Sequence, residues 1–148
     1  MIDLSQRYID MCTAAIELQR VWKPAEFDYV FCRVDHSVGR ILPSIPAVQG
    51  TQHYMASAGL FPGAECCGFK VEHIWLPSPE QIQDLLGISR GRHFVDANKR
   101  FLVFAAHKKM ATFWQVWLRY YMATRARKSW NSRAKQWDFS LKVTHGKR

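Results

Sequence analysis

The organisation of this chain is clearest in residues 73–87, which read HIWLPSPEQIQDLLG. An apolar run leads to a proline, after which Ser78 can cap the N-terminus of a helix with Pro79 at its first position. Gln81, three residues after the cap, completes a capping-box pattern, and Gly87 suits a helix C-terminus. The stretch therefore predicts a strand that leads through a stiff joint into a short helix, and it carries no evident chemistry.

Alternating residues predict two strands of a sheet. Residues 27–33 alternate and are rich in aromatic and β-branched side chains, which favours a strand. Residues 69–75 alternate strictly and lead directly into the predicted helix. Such alternation is typical of a sheet with one buried face.

Helical spacing of apolar residues predicts three more helices. The first begins near Leu4 and ends at about Arg20 or Val21, because the residue before a proline avoids the helical region and a proline follows at position 24. The other two cover about 96–106 and 113–128, and the second of these follows another capping-box pattern.

The segment 35–68 is punctuated by eight glycines and prolines, which predicts long loops with room for a short strand at 40–42. A loop of this length inside a compact domain is often functional or mobile. We expect the last residues, about 143–148, to be a frayed basic tail.

These elements predict a single α+β domain over residues 1–148. Two or three antiparallel strands would pack against the N-terminal helix and a C-terminal helical layer. Six large side chains on the predicted apolar faces are expected in the core: Phe31, Trp75, Leu85, Phe104, Trp117 and Tyr121.

Composition narrows the class of protein. Of the 148 residues, 48% are apolar and 22% are charged, which is enough apolar side chain for one buried core. No apolar run approaches the roughly 18 residues of a membrane span, and no signal-peptide pattern is visible at the N-terminus. The four cysteines do not form a secreted disulfide pattern. We therefore expect a protein of the cytoplasm, inside a host cell, that does not contact membranes.

The net charge of +9 is unevenly distributed. Residues 1–87 contain six Lys and Arg against ten Asp and Glu, a net of −4, whereas residues 88–148 contain fifteen against two, a net of +13. This asymmetry favours an anionic partner, with a solvated basic helical face as the alternative.

Three stretches resemble, in the same order, segments of one protein family. Residues 15–24, AIELQRVWKP, resemble an EIQ…WKP opening, and WLP at 75–77 with QIQ at 81–83 resembles a WLPRQDQLQ segment. Residues 114–118, WQVWL, with the later Met, Lys, Trp-Asn and Trp, resemble a closing LWLxFVM…K.WN…W pattern. The family consists of small phage and prophage proteins without an assigned activity.

The resemblance implies a phage-related origin and a small α+β fold, and it supplies no catalytic residues. The chain departs from the family pattern in two places. Residues 25–28, AEFD, stand where an xxGD turn is usual, and residues 35–68 have no counterpart.

Cysteine and histidine offer two chemical hypotheses. A tetrahedral zinc ion could use Cys32, His36, one of Cys66 and Cys67, and His73. However, vicinal cysteines do not easily share one ion, and no C-x2-C pair exists. Alternatively, one of the vicinal cysteines, in a loop-like stretch at 62–68, could pair with a histidine as a nucleophile. Neither pattern matches a known signature, so ordinary structural cysteines are the simpler interpretation.

Other catalytic signatures are missing from the sequence. It contains no evident pair of carboxylates for acid–base chemistry and no glycine-rich phosphate-binding loop. We therefore expect no enzymatic activity, no catalytic residues and no cofactor.

The basic C-terminal half predicts contacts with DNA or RNA, because Lys and Arg pair with phosphates and tryptophan can stack on an exposed base. The alternative is that the tryptophans lock the C-terminal segment onto the body of the domain. The residues predicted to contact nucleic acid are Arg90, Arg92, Lys108, Lys109, Arg125, Arg127, Lys128, Trp130, Arg133 and Lys135.

Two functions are therefore expected from the sequence. The first is a non-catalytic phage or prophage accessory protein that contacts nucleic acid through its basic half. The second is a protein-binding module, such as an inhibitor of host machinery or a virion component. The oligomeric state is left open by the sequence.

Overall fold

A computed structural model describes residues 3–34, 36–41, 54–57, 65–68, 73–88, 94–106 and 111–140. The helices are α1 (Gln6–Ala14), α2 (Ile16–Val21), α3 (Pro79–Leu86), α4 (Phe94–Ala106) and α5 (Phe113–Tyr121), and α5 continues into a π-helical turn (Met122–Ala126). The strands are β1 (Tyr29–Cys32), β2 (Val38–Ile41), β3 (Tyr54–Ser57), β4 (Glu65–Gly68), β5 (His73–Trp75), β6 (Lys128–Asn131) and β7 (Gln136–Phe139).

The predicted α+β class is confirmed, but the sheet is larger than predicted. Five antiparallel strands lie in the order β4-β3-β2-β1-β5, and β6 pairs with β7 in a separate hairpin. Three of the five strands fall at least partly in the segment 35–68 that we predicted to be mainly loops. Strand β2 overlaps the short strand predicted at 40–42, whereas β3 and β4 were not predicted, because four residues are too few to show a clear alternation.

The joint between β5 and α3 forms as predicted. Ser78 Oγ accepts a hydrogen bond from the Gln81 amide at 3.2 Å, and Gln81 Oε1 accepts one from the Ser78 amide at 2.8 Å. Gly87 ends the helix with φ 72°, a left-handed conformation that glycine adopts without strain. Buried Tyr8 donates its hydroxyl proton to the Pro77 carbonyl at 2.7 Å, which fixes the joint against α1. Residues 69–72 of the predicted strand lie outside the described residues.

The predicted N-terminal helix is two helices, separated at Ala15. At the interruption the Cys12 carbonyl accepts hydrogen bonds from the Ala15 amide at 3.2 Å and from Gln19 Nε2 at 3.1 Å. The same side chain bonds both the amide and the carbonyl of Trp75, at 2.9 and 3.1 Å. Gln19 therefore covers part of the free edge of β5, where unpaired backbone groups would otherwise be exposed.

The core prediction is confirmed for half of its members. Trp75, Trp117 and Tyr121 are buried. The other three, Phe31, Leu85 and Phe104, are partly buried and pack at the margin of the core. For β1 the reason is that Val30 and Cys32 occupy the inward face, so Phe31 lies on the opposite face.

The helix predicted at 113–128 forms as α5 and its π-helical turn, which together cover 113–126, but the hairpin that follows was not predicted. Helix α5 ends at Tyr121, and Arg127, in the left-handed region with φ 55°, turns the chain into β6. Trp130 and Trp137 form a cross-strand pair with ring centroids 5.2 Å apart. Trp137 donates its indole proton to the Met11 carbonyl at 3.0 Å. The alternative that these tryptophans lock the segment onto the body is thus confirmed, and residues 143–148 lie outside the described residues.

Within these described ranges, no helix combines the length and the apolar character that crossing a lipid bilayer requires.

Candidate functional site

The structure separates the predicted nucleic-acid contacts into three groups. Arg90, Arg92, Lys108 and Lys109 lie outside the described residues. Lys128, Trp130 and Lys135 contact other side chains of the protein. Arg125, Arg127 and Arg133 are exposed and form no ion pair with a described residue, although Arg125 contacts the end of α3.

Two of the predicted lysines form ion pairs with the N-terminal helices. Lys128 Nζ lies 2.6 Å from a Glu17 oxygen, and its hydrogen bond lowers the pKa of Glu17. Lys135 Nζ lies 2.8 Å from an Asp10 oxygen. Burial alone would raise the pKa of Asp10, but the bonds from Lys135 and Gln6 lower it. These contacts tie the β6–β7 hairpin to α1 and α2.

The side chain of Trp130 also contacts other residues of the protein. Its ring is tilted against Trp137 and packs against the core, and its indole nitrogen is buried. A stacking role toward a base would require this ring to leave its cross-strand partner. We therefore assign Trp130, like Lys128 and Lys135, to the architecture of the hairpin.

A cleft of about 330 Å³ opens between the end of α3, one face of α4 and the end of α5. None of the described residues that line it is acidic, and two of them are arginines. We call it the basic cleft, and its lining consists of Leu86, Gly87, Ile88, Ala97, Arg100, Tyr120, Thr124 and Arg125.

Arg125 is held in position by the C-terminus of α3. Its Nη2 group donates to the carbonyls of Leu85 and Leu86, at 3.2 and 3.4 Å. The last carbonyls of a helix carry partial negative charge and favour a cation at this place. A guanidinium group has five N–H donors, so this contact leaves further donors for a ligand in the basic cleft.

The opposite wall of the basic cleft is α4, which an aromatic cluster fixes to α5. Phe101 stacks on Trp117 with centroids 3.7 Å apart, and Tyr120 contacts the edges of Phe101 and Phe104 at 5.6 and 5.4 Å. Arg100, on α4, lines the cleft together with Arg125 and is exposed.

Several residues of the basic cleft were missing from the predicted contacts. Arg100 belonged to the basic set of the C-terminal half but had no feature to distinguish it from Lys99. Tyr120 and Thr124 are four residues apart on one helical face, and this spacing is a signal that sequence analysis could have used. The sequence does not predict which other elements lie beside the helical face that carries Tyr120 and Thr124.

A second, larger cleft of about 800 Å³ has a different character. It is lined by Tyr29, Arg40 and Trp114, among others, and by the N-terminal residues of α3 and α5. Asp3 and Glu80 also line it. The two carboxylates make this cleft less suited than the basic cleft to an anionic ligand.

The cysteine and histidine hypotheses find no matching geometry. Cys32 and His73 are buried and lie opposite each other on β1 and β5. Cys66 lies on β4, three strands away from β1, and strand spacing makes this separation roughly 14 Å. Zinc ligands must all lie about 2 Å from one ion, so these residues cannot share it.

The described residues contain no group of three or more potential metal ligands. Residues 65–68, which we predicted to be loop-like and suited to a cysteine nucleophile, form strand β4 instead. A four-residue cysteine-containing strand has no alternation that would have distinguished it from a loop.

Comparison with family models, with curated proteins and with solved structures found no significant match. The resemblance to small phage and prophage proteins therefore stays a prediction.

Proposed function

We propose that this chain is a non-catalytic accessory protein of phage or prophage type that binds nucleic acid through the basic cleft. The observation that carries this proposal is a cleft with two arginines and, among its described lining residues, no acid. Arginine is well suited to phosphate because its planar donors match two phosphate oxygens at once.

Size and preorganisation also support a phosphodiester ligand. A volume of about 330 Å³ lies at the lower end of the range for small-ligand pockets, which fits one nucleotide unit of a strand. Arg125 is already held by two carbonyls of α3, so less conformational entropy is lost when it binds. Tyr120 and Thr124 add hydroxyl groups that can donate hydrogen bonds to phosphate oxygens.

The sequence contains two further arginines that are close along the chain to described residues of the basic cleft and of α4. Arg90 follows Ile88, a lining residue, by two positions, and Arg92 precedes α4 by two positions. Arg127 and Arg133 are exposed on the same C-terminal half. A net charge of +13 over residues 88–148 would attract nucleic acid before it reaches the cleft.

Replacing Arg100 with glutamine is expected to weaken binding to a short oligonucleotide about tenfold or more, because a charge-assisted contact to phosphate is lost. The matched control is Lys99→Gln, which removes the same charge from the neighbouring exposed position outside the basic cleft. We expect the control to weaken binding about twofold at most, through the long-range field alone.

Fluorescence anisotropy with labelled single- and double-stranded DNA and RNA measures these affinities. Equal losses in Arg100→Gln and Lys99→Gln would contradict a defined site, since only a diffuse positive surface treats the two positions alike. Thermal unfolding of each variant shows that the exposed substitutions leave the fold intact.

A protein-binding module is the second candidate, and the outer face of α4 favours it. Val95 and Leu102 are 59% and 63% exposed and lie seven residues apart on one helical face. Exposed Lys99 lies between them on that face. The partner would therefore present an apolar patch beside a carboxylate.

Leu102→Glu is expected to abolish capture of such a partner from a host lysate, because it places a second carboxylate against the partner's own. Oligonucleotide binding through the basic cleft should be retained in this variant. Capture of the same proteins by wild type and Leu102→Glu would contradict the protein-binding alternative.

A further inference from the structure

The larger cleft, of about 800 Å³, combines aromatic walls with charged groups of both signs, and the proposed function does not use it. We call it the aromatic cleft, after Tyr29 and Trp114, and its charged lining residues are Asp3, Arg40 and Glu80. A volume of this size lies within the range of small-ligand pockets.

Connected aromatic rings form one wall of the aromatic cleft. The ring of Trp114, on α5, lies nearly perpendicular to those of Tyr8 and Tyr29, with centroids 5.8 and 6.5 Å away. Tyr8 is buried and donates its hydroxyl proton to the Pro77 carbonyl, so it holds the indole ring from the inner side. Trp114 and Tyr29 are only partly buried, which leaves part of each ring accessible from the cleft. Rigid, accessible rings of this kind are what a flat heteroaromatic ligand stacks on.

Arg40 provides hydrogen-bond donors beside this wall. It lies opposite Tyr29 in the pairing of β1 with β2, and its Cζ atom is 4.2 Å from the centroid of the Tyr29 ring. Its Nη2 group donates to the Tyr29 hydroxyl. This contact holds the guanidinium at the cleft but uses one of its five N–H donors, so the others can reach a ligand.

The two carboxylates of the aromatic cleft differ in their availability to a ligand. Asp3 accepts hydrogen bonds from the Ser5 amide and the Gln115 side chain, each at 2.9 Å, and from the Thr112 hydroxyl. Glu80 is exposed and forms no ion pair with a described residue. Its carboxylate is therefore the acceptor that the cleft offers.

The first turn of α3 holds Glu80 close to the aromatic wall. The residue after it, Gln81, donates from Nε2 to Asp28 at 2.6 Å, and Asp28 directly precedes Tyr29. The capping box between Gln81 and Ser78 fixes the same turn. Acceptor, donors and rings thus belong to elements that are tied to one another.

The mixture of charges disfavours a simple ion as the ligand. An anion would meet Asp3 and Glu80, whereas a cation would meet Arg40 and the positive N-terminal ends of α3 and α5. A neutral, flat molecule with both donors and acceptors avoids both conflicts. Nucleobases have these properties, and proteins recognise unstacked bases by combining aromatic stacking with hydrogen bonds to their polar edges.

We propose that the aromatic cleft binds a guanine base, which stacks against the aromatic wall and bonds to Glu80 and Arg40. The N1–H and N2–H donors of guanine point in the same direction and match the two oxygens of a carboxylate. Arginine donors suit its O6 and N7 acceptors. Uracil has no amino group for Glu80, and adenine has no O6 acceptor for Arg40.

The inference rests on the proposed function for its class of ligand, and it adds base recognition to the phosphate contacts of the basic cleft. The two clefts are separate, because the aromatic cleft lies at the N-terminal residues of α3 and α5 and the basic cleft at the C-terminal end of the same helices. The eight residues of α3 span about 12 Å. A nucleoside, which carries no phosphate, therefore tests the aromatic cleft alone.

The experiment is a titration of the 15N-labelled protein with guanosine, adenosine, cytidine and uridine, followed through the indole N–H signals of its six tryptophans. The signal of Trp114 is the one that is absent from Trp114→Phe. We expect millimolar guanosine to shift this signal and uridine at the same concentration to shift it about tenfold less, because uridine cannot bond to Glu80 in the same way. No shift with guanosine, or equal shifts with all four nucleosides, would overturn the proposal.

Glu80→Gln tests the acceptor without changing the aromatic wall. Glutamine places an NH2 group against one guanine donor, so we expect the guanosine shift to fall about tenfold while the uridine shift stays as it is. Asp84→Asn is the matched control, since it removes an exposed carboxylate from the same helix outside the cleft, and it should respond like the wild type. Equal guanosine shifts in the wild type and Glu80→Gln would overturn the assignment to guanine, and thermal unfolding checks that both variants are folded.

Short strands separate this inference from the proposed function. Fluorescence anisotropy compares a uridine-only strand with the same strand carrying one guanine. Binding that Arg100→Gln weakens, but that is equal for the two strands, would support the basic cleft and overturn base recognition. A guanosine-specific shift of the Trp114 signal, with no binding of either strand even at low salt, would support the aromatic cleft and contradict the proposed function.

Discussion

Replacing Asp28 with alanine is expected to lower the free energy of unfolding by about 3–5 kcal/mol, because it removes the buried acceptor of three donors. Asp28 is only 3% exposed. Its Oδ2 atom accepts from Trp22 Nε1 at 2.8 Å and from the Ala25 amide at 3.0 Å. Its Oδ1 atom accepts from Gln81 Nε2 at 2.6 Å. One carboxylate thus joins the end of α2, the start of β1 and the capping box of α3.

Two controls separate this network from general effects of substitution. Asp28→Asn keeps one acceptor oxygen but places an NH2 group against another donor. We therefore expect its free energy of unfolding to lie between those of the wild type and Asp28→Ala. Glu26→Ala changes an exposed carboxylate nearby and should alter stability by roughly 0.5 kcal/mol at most. Urea unfolding measures all three. If Asp28→Ala lowers the free energy of unfolding by less than about 1 kcal/mol, the Asp28 carboxylate does not hold α2, β1 and α3 together.

Trp117→Ala is expected to lower the free energy of unfolding by about 3–5 kcal/mol, the range found when a large buried aromatic side chain is removed. Trp117 is 1% exposed, and its ring stacks on Phe101 at 3.7 Å and meets the edge of Tyr120 at 5.9 Å. The ring is one of the aromatic contacts that join α4 to α5. Because these two helices form walls of the basic cleft, the variant should also lose oligonucleotide binding under conditions in which it remains folded.

Trp117→Phe is the matched control for this prediction. The indole nitrogen of Trp117 is buried and has no hydrogen-bond partner among the described residues. Replacement by phenylalanine therefore removes packing contacts but no hydrogen bond. We expect Trp117→Phe to lower the free energy of unfolding by about 1–2 kcal/mol and to retain oligonucleotide binding. Urea unfolding and anisotropy measure the two properties. Normal binding by folded Trp117→Ala would show that the cleft does not depend on this packing.

The parts of the fold that were predictable have local chemical causes. The capping box of Ser78 and Gln81 and the helix end at Gly87 depend on residues a few positions apart, and they form as predicted. Strands β3 and β4 and the β6–β7 hairpin depend on pairing between short segments, which local patterns do not encode. The break at Ala15 likewise depends on Gln19 reaching β5, a contact across 56 positions.

The candidate site was also predictable only in part. The excess of positive charge in the C-terminal half is evident from the sequence, but the sequence does not show which of these basic residues form ion pairs within the protein. Lys128 pairs with Glu17, 111 positions away, and Lys135 pairs with Asp10. Only the tertiary structure distinguishes these lysines from Arg100 and Arg125, which line the basic cleft.

The most direct test of the central claim is the salt dependence of oligonucleotide binding. We predict that log Kobs falls linearly with log salt, with a slope of about −0.7 per neutralised phosphate of a single strand. Each of Arg100→Gln and Arg125→Gln should reduce this slope by roughly the contribution of one phosphate, whereas Lys135→Gln, at an ion-paired position outside the cleft, should change it little. An absence of binding even at low salt, or equal slopes in all four proteins, would contradict a nucleic-acid site in the basic cleft.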